Sequence, residues 1–248
     1  QLARSQKMKA LGRLAAGVTH DLSNILSPVV GYSEVILSHM DKDDPLYKPL
    51  ESIRTAGERA TVITDDLLTI ARRGVVAKEV INLNDIVREY LSSSAYKELI
   101  LAYQQLTIKT ELAPDLKNTK GASVHLLKVI MNLMSNAADA IGEDEEGKII
   151  IKTENKKLNS PKKAFTTIPE GEYSFLSIKD TGIGIDDENI EKIFEPFYSK
   201  KIKEGTGTGL GLTVVMGTVE DHDGFIDVYS PKNQGTSLDI YLPATDKE

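Results

Sequence analysis

Asn132 and Asn136 stand one helical turn apart in MNLMSNAADAI, and Lys128 lies a turn earlier. On a helix the three share one face. Carboxamide oxygens can ligate a hard cation such as Mg2+, which takes oxygen ligands together with substrate phosphates. Downstream, IKDTGIGI carries Leu176, Ile178 and Asp180 in alternation, so Asp180 ends a strand facing inward. A buried carboxylate needs donors, and the exocyclic amine of a base is one candidate. Gly182 and Gly184 then allow a tight turn and a close backbone approach to a ligand. In EGTGTGLGL, glycines at 205, 207, 209 and 211 precede a helix. Backbone N–H groups and a helix N-terminus there suit phosphates. The run Gly207–Gly211 matches a dinucleotide fingerprint only superficially, since no strand immediately precedes it and no βαβ unit encloses it. Upstream, FEPFYSKK supplies Phe194 and Phe197 as packing anchors, with Lys200 and Lys201 as cations for phosphate. Gly235 and Thr236 open the last strand in QGTSLDIYLP. Alone, the two asparagines read better as a solvated polar face, the glycines after Asp180 as an ordinary turn, and the lysines equally well as a charge run.

A second constellation lies near the N-terminus, in AAGVTHDLSNILSPVVGYSEVI. Apolar residues Leu22, Ile25, Val29, Tyr32 and Ile36 continue a heptad seam begun at Met8. With Val18 at d and Leu22 at a, His20 is at f, pointing away from the seam; Asp21 is at g and Asn24 at c. A neutral imidazole is a good nucleophile near neutral pH. A carboxylate accepting from Nδ1–H leaves the lone pair on Nε2, and Asp21 is adjacent. His39, His125 and His222 have no such setting and read as structural or surface residues. Pro28 cannot donate to the carbonyl of Asn24, so a kink is expected between Asn24 and Pro28.

Two kinds of element must hold these groups. Up to about residue 71 the chain repeats in threes and fours, interrupted by the turn DKDDP. The second seam runs through Leu46, Leu50, Ile53, Gly57, Ala60, Thr64, Leu67 and Ala71, which predicts an antiparallel helical hairpin. Such a hairpin cannot bury a continuous seam alone, so a homodimer forming a four-helix bundle is expected. After Val80 the period changes. Asn84 is expected to cap a helix to about Tyr96, and Leu106–Leu112 reads as a strand. Ser123–Ile141 is a helix with Val124, Leu127, Met131, Met134 and Ala138 on one stripe. KIIIKTE, YSFLSIKD, FIDVYS and TSLDIYLP are strands, and Leu212–Val219 a helix. Asn155–Pro169, polar and proline-bearing, reads as a loop. The second half is therefore α+β, with helices on one face of a largely antiparallel sheet. The expected domains are residues 1–73, a linker at 74–80 with a hinge near Gly74, and residues 81–248.

A net charge of −7 disfavours a general nucleic-acid binder, and the lack of cysteine excludes disulfides, thiolate metal sites and cysteine nucleophiles. With no apolar run near the ~18 residues needed to span a bilayer, no membrane contact is expected of this stretch. The chain opens on Gln1 without a signal peptide, so we read it as a cytoplasmic piece of a longer protein, any membrane anchor of which precedes Gln1.

In this order, the clusters from Asn132 to Thr236 resemble the N, G1, F, G2 and G3 boxes of the ATP-binding fold shared by sensor histidine kinases, gyrase and heat-shock chaperone ATPases. HDLSN, preceded by QKMKALGRLAAGVT, resembles the phosphoacceptor box of two-component sensor kinases, in the subgroup with His-Asp-Phe-Asn-Asn; Leu22 and Ser23 depart from that pattern. The resemblance implies an all-α helical hairpin, a four-helix bundle as a dimer, followed by an α+β Bergerat-type ATP-binding sandwich. It implies an ATP-dependent histidine autokinase that uses Mg2+ and passes a phosphoryl group to an aspartate on a response-regulator receiver domain. His20 would be the nucleophile, Asp21 its partner, and Asn24 the residue orienting water for dephosphorylating the regulator. Asn136 would be the Mg2+ ligand, and Asp180 the adenine partner, supported by Thr236 through water. Asn132, Gly182, Gly184, Lys200, Lys201, Gly207, Gly209, Leu210 and Gly211 would complete the nucleotide site. Related kinases often carry a basic or aromatic residue two to four positions after the second Asn; this chain has Ala138, Asp139 and Ala140. The rival readings are a GHL-type ATPase driving a conformational cycle and a nucleotide-degenerate signalling scaffold. Hydrolases of the superfamily carry glutamate at the place of Asn132, and an amide there is a poor base.

Overall fold

The computed structural model describes residues 2–71, 77–199 and 207–246, with side chains described from residue 21 to 69 and through the later ranges. The chain forms two compact units, Gln1–Arg73 with Glu195–Leu210, and Gly74–Phe194 with Gly211–Glu248.

In the first unit, α1 (Leu2–His39) and α2 (Tyr47–Ala71) pack as a hairpin. Asp44 shapes the turn, its Oδ1 accepting from Leu46 N at 2.8 Å. The two helices meet closely at Gly57, where an added Cβ would lie 2.8 Å from Val30 Cγ2. Leu26, Val30, Ser33 and Leu37 are the partly or fully buried line of α1. The predicted seam lies one position away from that line. Ile25 is 64% exposed and Tyr32 72%, with Leu22, Val29 and Ile36 also exposed. On α2, Gly57 and Thr64 of the predicted seam are buried, whereas Leu46 and Ile53 are exposed. Helix α1 therefore carries two apolar lines, one covered by α2 and one open. It continues on both sides of Pro28, where Ser27 Oγ donates to Ser23 O at 2.8 Å.

The second unit is built on a seven-stranded sheet in the order β1 (Glu79–Ile81), β3 (Asn118–Gly121), β7 (Ser237–Thr245), β5 (Gly171–Asp180), β4 (Gly147–Leu158), β2 (Leu106–Glu111), with β6 (Phe225–Tyr229) also paired to β7. Among the described residues only β2 and β4 pair in parallel. Ile149, Ile151, Leu176, Ile178, Leu238 and Ile240 alternate onto the buried face. Helix α5 (Ser123–Ile141) packs there on β4 and β5, beside α3 (Leu83–Ser92) and α7 (Gly211–Asp221). This is the expected α+β arrangement.

Local details differ from expectation. The cap of α3 is Asn82, whose Oδ1 accepts from Asn84 N at 3.0 Å. Asn84 is buried instead: its Nδ2 donates to Ala113 O at 2.7 Å and its Oδ1 accepts from Thr153 Oγ1 at 2.7 Å. Two neighbouring amides can both satisfy the cap rule, and burial decides between them. The helix stops at Ser93, which starts α4 (Ser94–Ala102) by accepting from Tyr96 N. On α5 the buried face holds Leu126, Val129, Ile130, Leu133, Met134, Ala137, Ala138 and Ile141, while Val124 is exposed. Covered by both sheet and helices, α5 needs an apolar face wider than one stripe. The predicted loop Asn155–Pro169 is strand as far as Leu158. Its remainder folds over the outer face of the sheet, burying Ile168 against Tyr173, Phe175 and Tyr241. Lys162 Nζ fixes it there through Asp227 Oδ2 and Tyr241 Oη, each at 2.9 Å.

Candidate nucleotide site

Asp180 closes β5 and is 4% exposed. Its Oδ1 accepts from Gly182 N at 2.8 Å and Thr236 N at 3.1 Å. Among the described residues no other residue donates to Oδ2. Burial pushes the carboxyl above the usual aspartate range, and the backbone N–H groups of Gly182, Thr236 and Asp180 itself partly offset this. The turn after Asp180 is held on three sides. Ile183 N donates to Ala140 O at 3.1 Å, Ile185 N to Ser230 Oγ at 2.7 Å, and Asn233 N to Ile183 O at 2.9 Å. Gly182 lies so close to α5 that a Cβ would sit 2.4 Å from Ala140 O. Gly184 takes a φ of 73°, which suits glycine.

Thr236 Oγ1 lies 2.9 Å from Ser230 Oγ, and Ser230 Oγ contacts Gly235 O at 3.3 Å. Ser230 thus links the turn after Asp180 to the strand opening at Thr236, a role that a single serine at a strand end does not announce in sequence. Gly235 has a φ of 78°, and an added Cβ would lie 2.0 Å from Asp180 O. Gly235→Ala should therefore destabilise the chain by about 1–3 kcal/mol. Thermal unfolding should show this as a fall in Tm of roughly 2–4 °C per kcal/mol.

Across from this turn, α5 presents Lys128, Asn132 and Asn136, all half-buried. Asn132 Nδ2 donates to Gly211 O at 3.1 Å, joining α5 to the first residue of α7. Asn136 has no hydrogen-bond partner among the described residues, so its carboxamide oxygen is available to a ligand. Its chemistry suits a hard cation that takes its remaining ligands from phosphate oxygens and water. No cluster of three or more His, Cys, Asp and Glu able to hold a metal occurs among the described residues. Where an aromatic or basic residue is missing after Asn136, Tyr103 arrives from the end of α4: its Oη donates to Asp139 Oδ1 at 2.5 Å. Burial, then this bond, hold the Tyr103 phenol well above its ordinary range.

In the other unit, Phe197 and Gly209 both have positive φ, 64° and 67°, and Phe197 N donates to Gly209 O at 2.9 Å. Gly207 is half-buried and Leu210 fully buried. Asp21 and Asn24 are exposed on α1. His20 lies within α1, and its side chain falls outside the described residues, as do Lys200, Lys201 and the expected hinge at Gly74.

Residues 121–246 match the family described as "Histidine kinase-, DNA gyrase B-, and HSP90-like ATPase", and residues 10–75 match "His Kinase A (phospho-acceptor) domain". The chain belongs to the histidine kinase-, gyrase B- and HSP90-like ATPase family, and its two matched domains make up the core of a two-component sensor histidine kinase. It is 34% identical over 244 residues to the sensor kinase CckA of Brucella abortus (strain 2308), covering 98% of this chain and 25% of that protein. It is 31% identical over 247 residues to sporulation kinase B of Bacillus subtilis (strain 168), covering 98% of this chain and 52% of that protein. Among solved structures, full-length ShkA in complex with AMPPNP has a TM-score of 0.70 at 20% identity, covering 95% of this chain and 47% of that one, which is a likeness of fold. The chain thus spans between a quarter and about half of the length of these relatives. Among the described residues no helix is long and apolar enough to cross a membrane.

Proposed function

We propose that the chain is an ATP-dependent protein histidine autokinase that relays its phosphoryl group to an aspartate of a response-regulator receiver domain. The observation that carries this reading is the pair of open oxygens in the second unit. Asp180 Oδ2, on a buried residue beside a glycine turn, accepts from no other described residue, which suits the exocyclic amine of adenine. The Asn136 carboxamide on α5 likewise has no partner among the described residues, which suits a phosphate-bound cation. Thr236, held by Ser230, backs Asp180 through water. Mg2+ held partly by Asn136 would neutralise charge on the ATP phosphates. Asn132, an amide tied to Gly211 O, has no basic oxygen with which to activate water, so the site holds ATP for another nucleophile.

That nucleophile is His20. Its Nε2 lone pair attacks the γ-phosphorus, the P–N bond forms and the P–O bond to ADP breaks. The Nδ1 proton stays on the ring, facing the Asp21 carboxylate. Lys128, Lys200, Lys201 and backbone N–H groups of the glycine-rich run balance the phosphate charge. Residues 1–73 serve dimerisation and phosphotransfer, 74–80 link, and 81–248 bind the nucleotide. The open apolar line of α1, with Ile25, Tyr32 and Ile36 exposed, supports a homodimer in which a second hairpin covers it. Asn24, one turn beyond His20 and exposed, orients water when the regulator is dephosphorylated. Incubation with γ-labelled ATP and Mg2+ tests the reading. Acid-labile, base-stable label should appear on the chain and move to an added receiver domain. Steady phosphate release with no labelled chain would overturn it.

A further inference from the structure

His222 follows α7 directly and is buried. Its Nδ1 lies 2.7 Å from Thr218 O, and its Nε2 lies 2.9 Å from Ala122 N. A backbone N–H can only donate, so Nε2 is the acceptor and Nδ1 carries the proton: the ring is neutral, in one tautomer. Burial also favours the neutral ring. Ala122 is the N-cap residue of α5 and provides no side-chain cap of its own. Gly121 makes room for the ring, since a Cβ there would lie 2.7 Å from His222 Cδ2.

This contact has a counterpart. Helices α5 and α7 are joined at Ala122–His222 and again at Asn132–Gly211. Along each helix the two joints are about ten residues, or roughly 15 Å, apart. The helices therefore run antiparallel, with one pin at each end of the shared stretch. The far pin sits at the end of α7 where the glycine-rich run enters the helix, beside Asn132 and one turn from Asn136. Sliding α7 along α5 breaks both pins at once, so the His222 pin fixes where the N-terminus of α7 stands relative to the two asparagines.

We propose that His222 is a positioning residue for nucleotide binding, which sets the axial register of α7 on α5 through the Ala122 N–H and so holds the phosphate-facing end of α7 in its binding-competent place. The inference rests on the nucleotide reading of the site. Without the pin, α7 samples more than one register, and ATP must select the competent one. Apparent affinity then falls by the competent fraction, while the saturated enzyme, already in register, turns over normally.

The test measures ATP affinity by calorimetry with Mg2+, together with the KM and kcat of self-labelling, on the full chain. His222→Phe keeps the ring volume but cannot accept from Ala122; it should raise Kd and KM for ATP by about tenfold, corresponding to a competent fraction of about a tenth, with kcat changed less than about threefold. In His222→Gln, Oε1 can accept from the same N–H, and wild-type Kd and KM should return. Should His222→Phe fail to fold, Gly121→Ala, whose Cβ would meet His222 Cδ2 at 2.7 Å and the Ile81 and Leu126 side chains at 2.9 Å, pushes on the pin from the other side and should raise Kd in the same way. A wild-type Kd in the folded Phe variant, a loss confined to kcat, or a Gln variant as weak as Phe would each overturn the inference. If the unaltered chain binds no ATP, the nucleotide reading falls first and takes the inference with it.

Discussion

His20→Ala should abolish acid-labile, base-stable labelling from γ-labelled ATP, a loss of about 10^3-fold or more, while ATP affinity changes less than about twofold. The magnitude follows from the loss of the proposed nucleophile itself, for which few groups could substitute. The chain has no cysteine. His222 is buried with both ring nitrogens engaged, Nε2 by Ala122 N and Nδ1 by Thr218 O. His39 has its Nδ1 against Val35 O and Ser38 Oγ, each at 2.9 Å. His20 is expected at heptad position f, from which a side chain would be open to an incoming substrate. The second half of the prediction concerns its neighbour. Asp21→Asn removes the carboxylate proposed to orient the ring, so labelling should slow by about 10^2- to 10^4-fold with KM for ATP unchanged. Phosphoamino-acid analysis and a labelling time course with each variant check both statements. Label that survives His20→Ala would relocate the nucleophile to His39 or His125.

What the sequence disclosed here was local and periodic. Asn132 and Asn136 are four residues apart, so any helix puts them on one face, and no tertiary knowledge is needed to see it. Alternation of Leu176, Ile178 and Asp180 turned the carboxylate inward, and the three are indeed all buried. What stayed hidden depends on partners far apart in the chain. The ring of His222 meets a backbone N–H a hundred residues earlier, and a backbone donor leaves no mark in a sequence. Ser230 gains its place only once β6 has delivered it between Ile185 and Thr236. Strands β1 and β3, three and four residues long, are too short for alternation to show. The heptad seam was visible, but a heptad cannot say which of two neighbouring apolar lines faces the hairpin partner. Val30 against Gly57 answers that, because only a glycine lets the two backbones come so near.

Asp180→Asn should weaken ATP binding by about 10- to 100-fold while leaving the fold at least as stable. The asymmetry comes from the two oxygens doing different jobs. Oδ1 accepts from Gly182 N and Thr236 N, and an asparagine Oδ1 can accept both. The turn and the opening of β7 therefore keep their hydrogen bonds. At the other position the substitution exchanges an acceptor for an NH2 donor, which then faces the exocyclic amine of adenine, donor against donor. A 6-keto nucleotide such as GTP offers an acceptor to that NH2, so the variant should narrow the gap between ATP and GTP. Stability follows from the raised carboxyl pKa. With its folded value above its unfolded one, Asp180 favours the folded state in its protonated form. That advantage is lost as pH rises from the ordinary aspartate range through the folded value. Above that folded value the ionised wild type carries a buried charge that the amide lacks. The Tm of Asp180→Asn should thus equal or exceed the wild-type Tm at pH 7, and the difference should shrink as pH falls below about 4, where an unperturbed aspartate protonates. Calorimetric titration with ATP and GTP, and unfolding curves at the two pH values, decide the matter. Unaltered ATP affinity in the variant would remove Asp180 from the adenine contact.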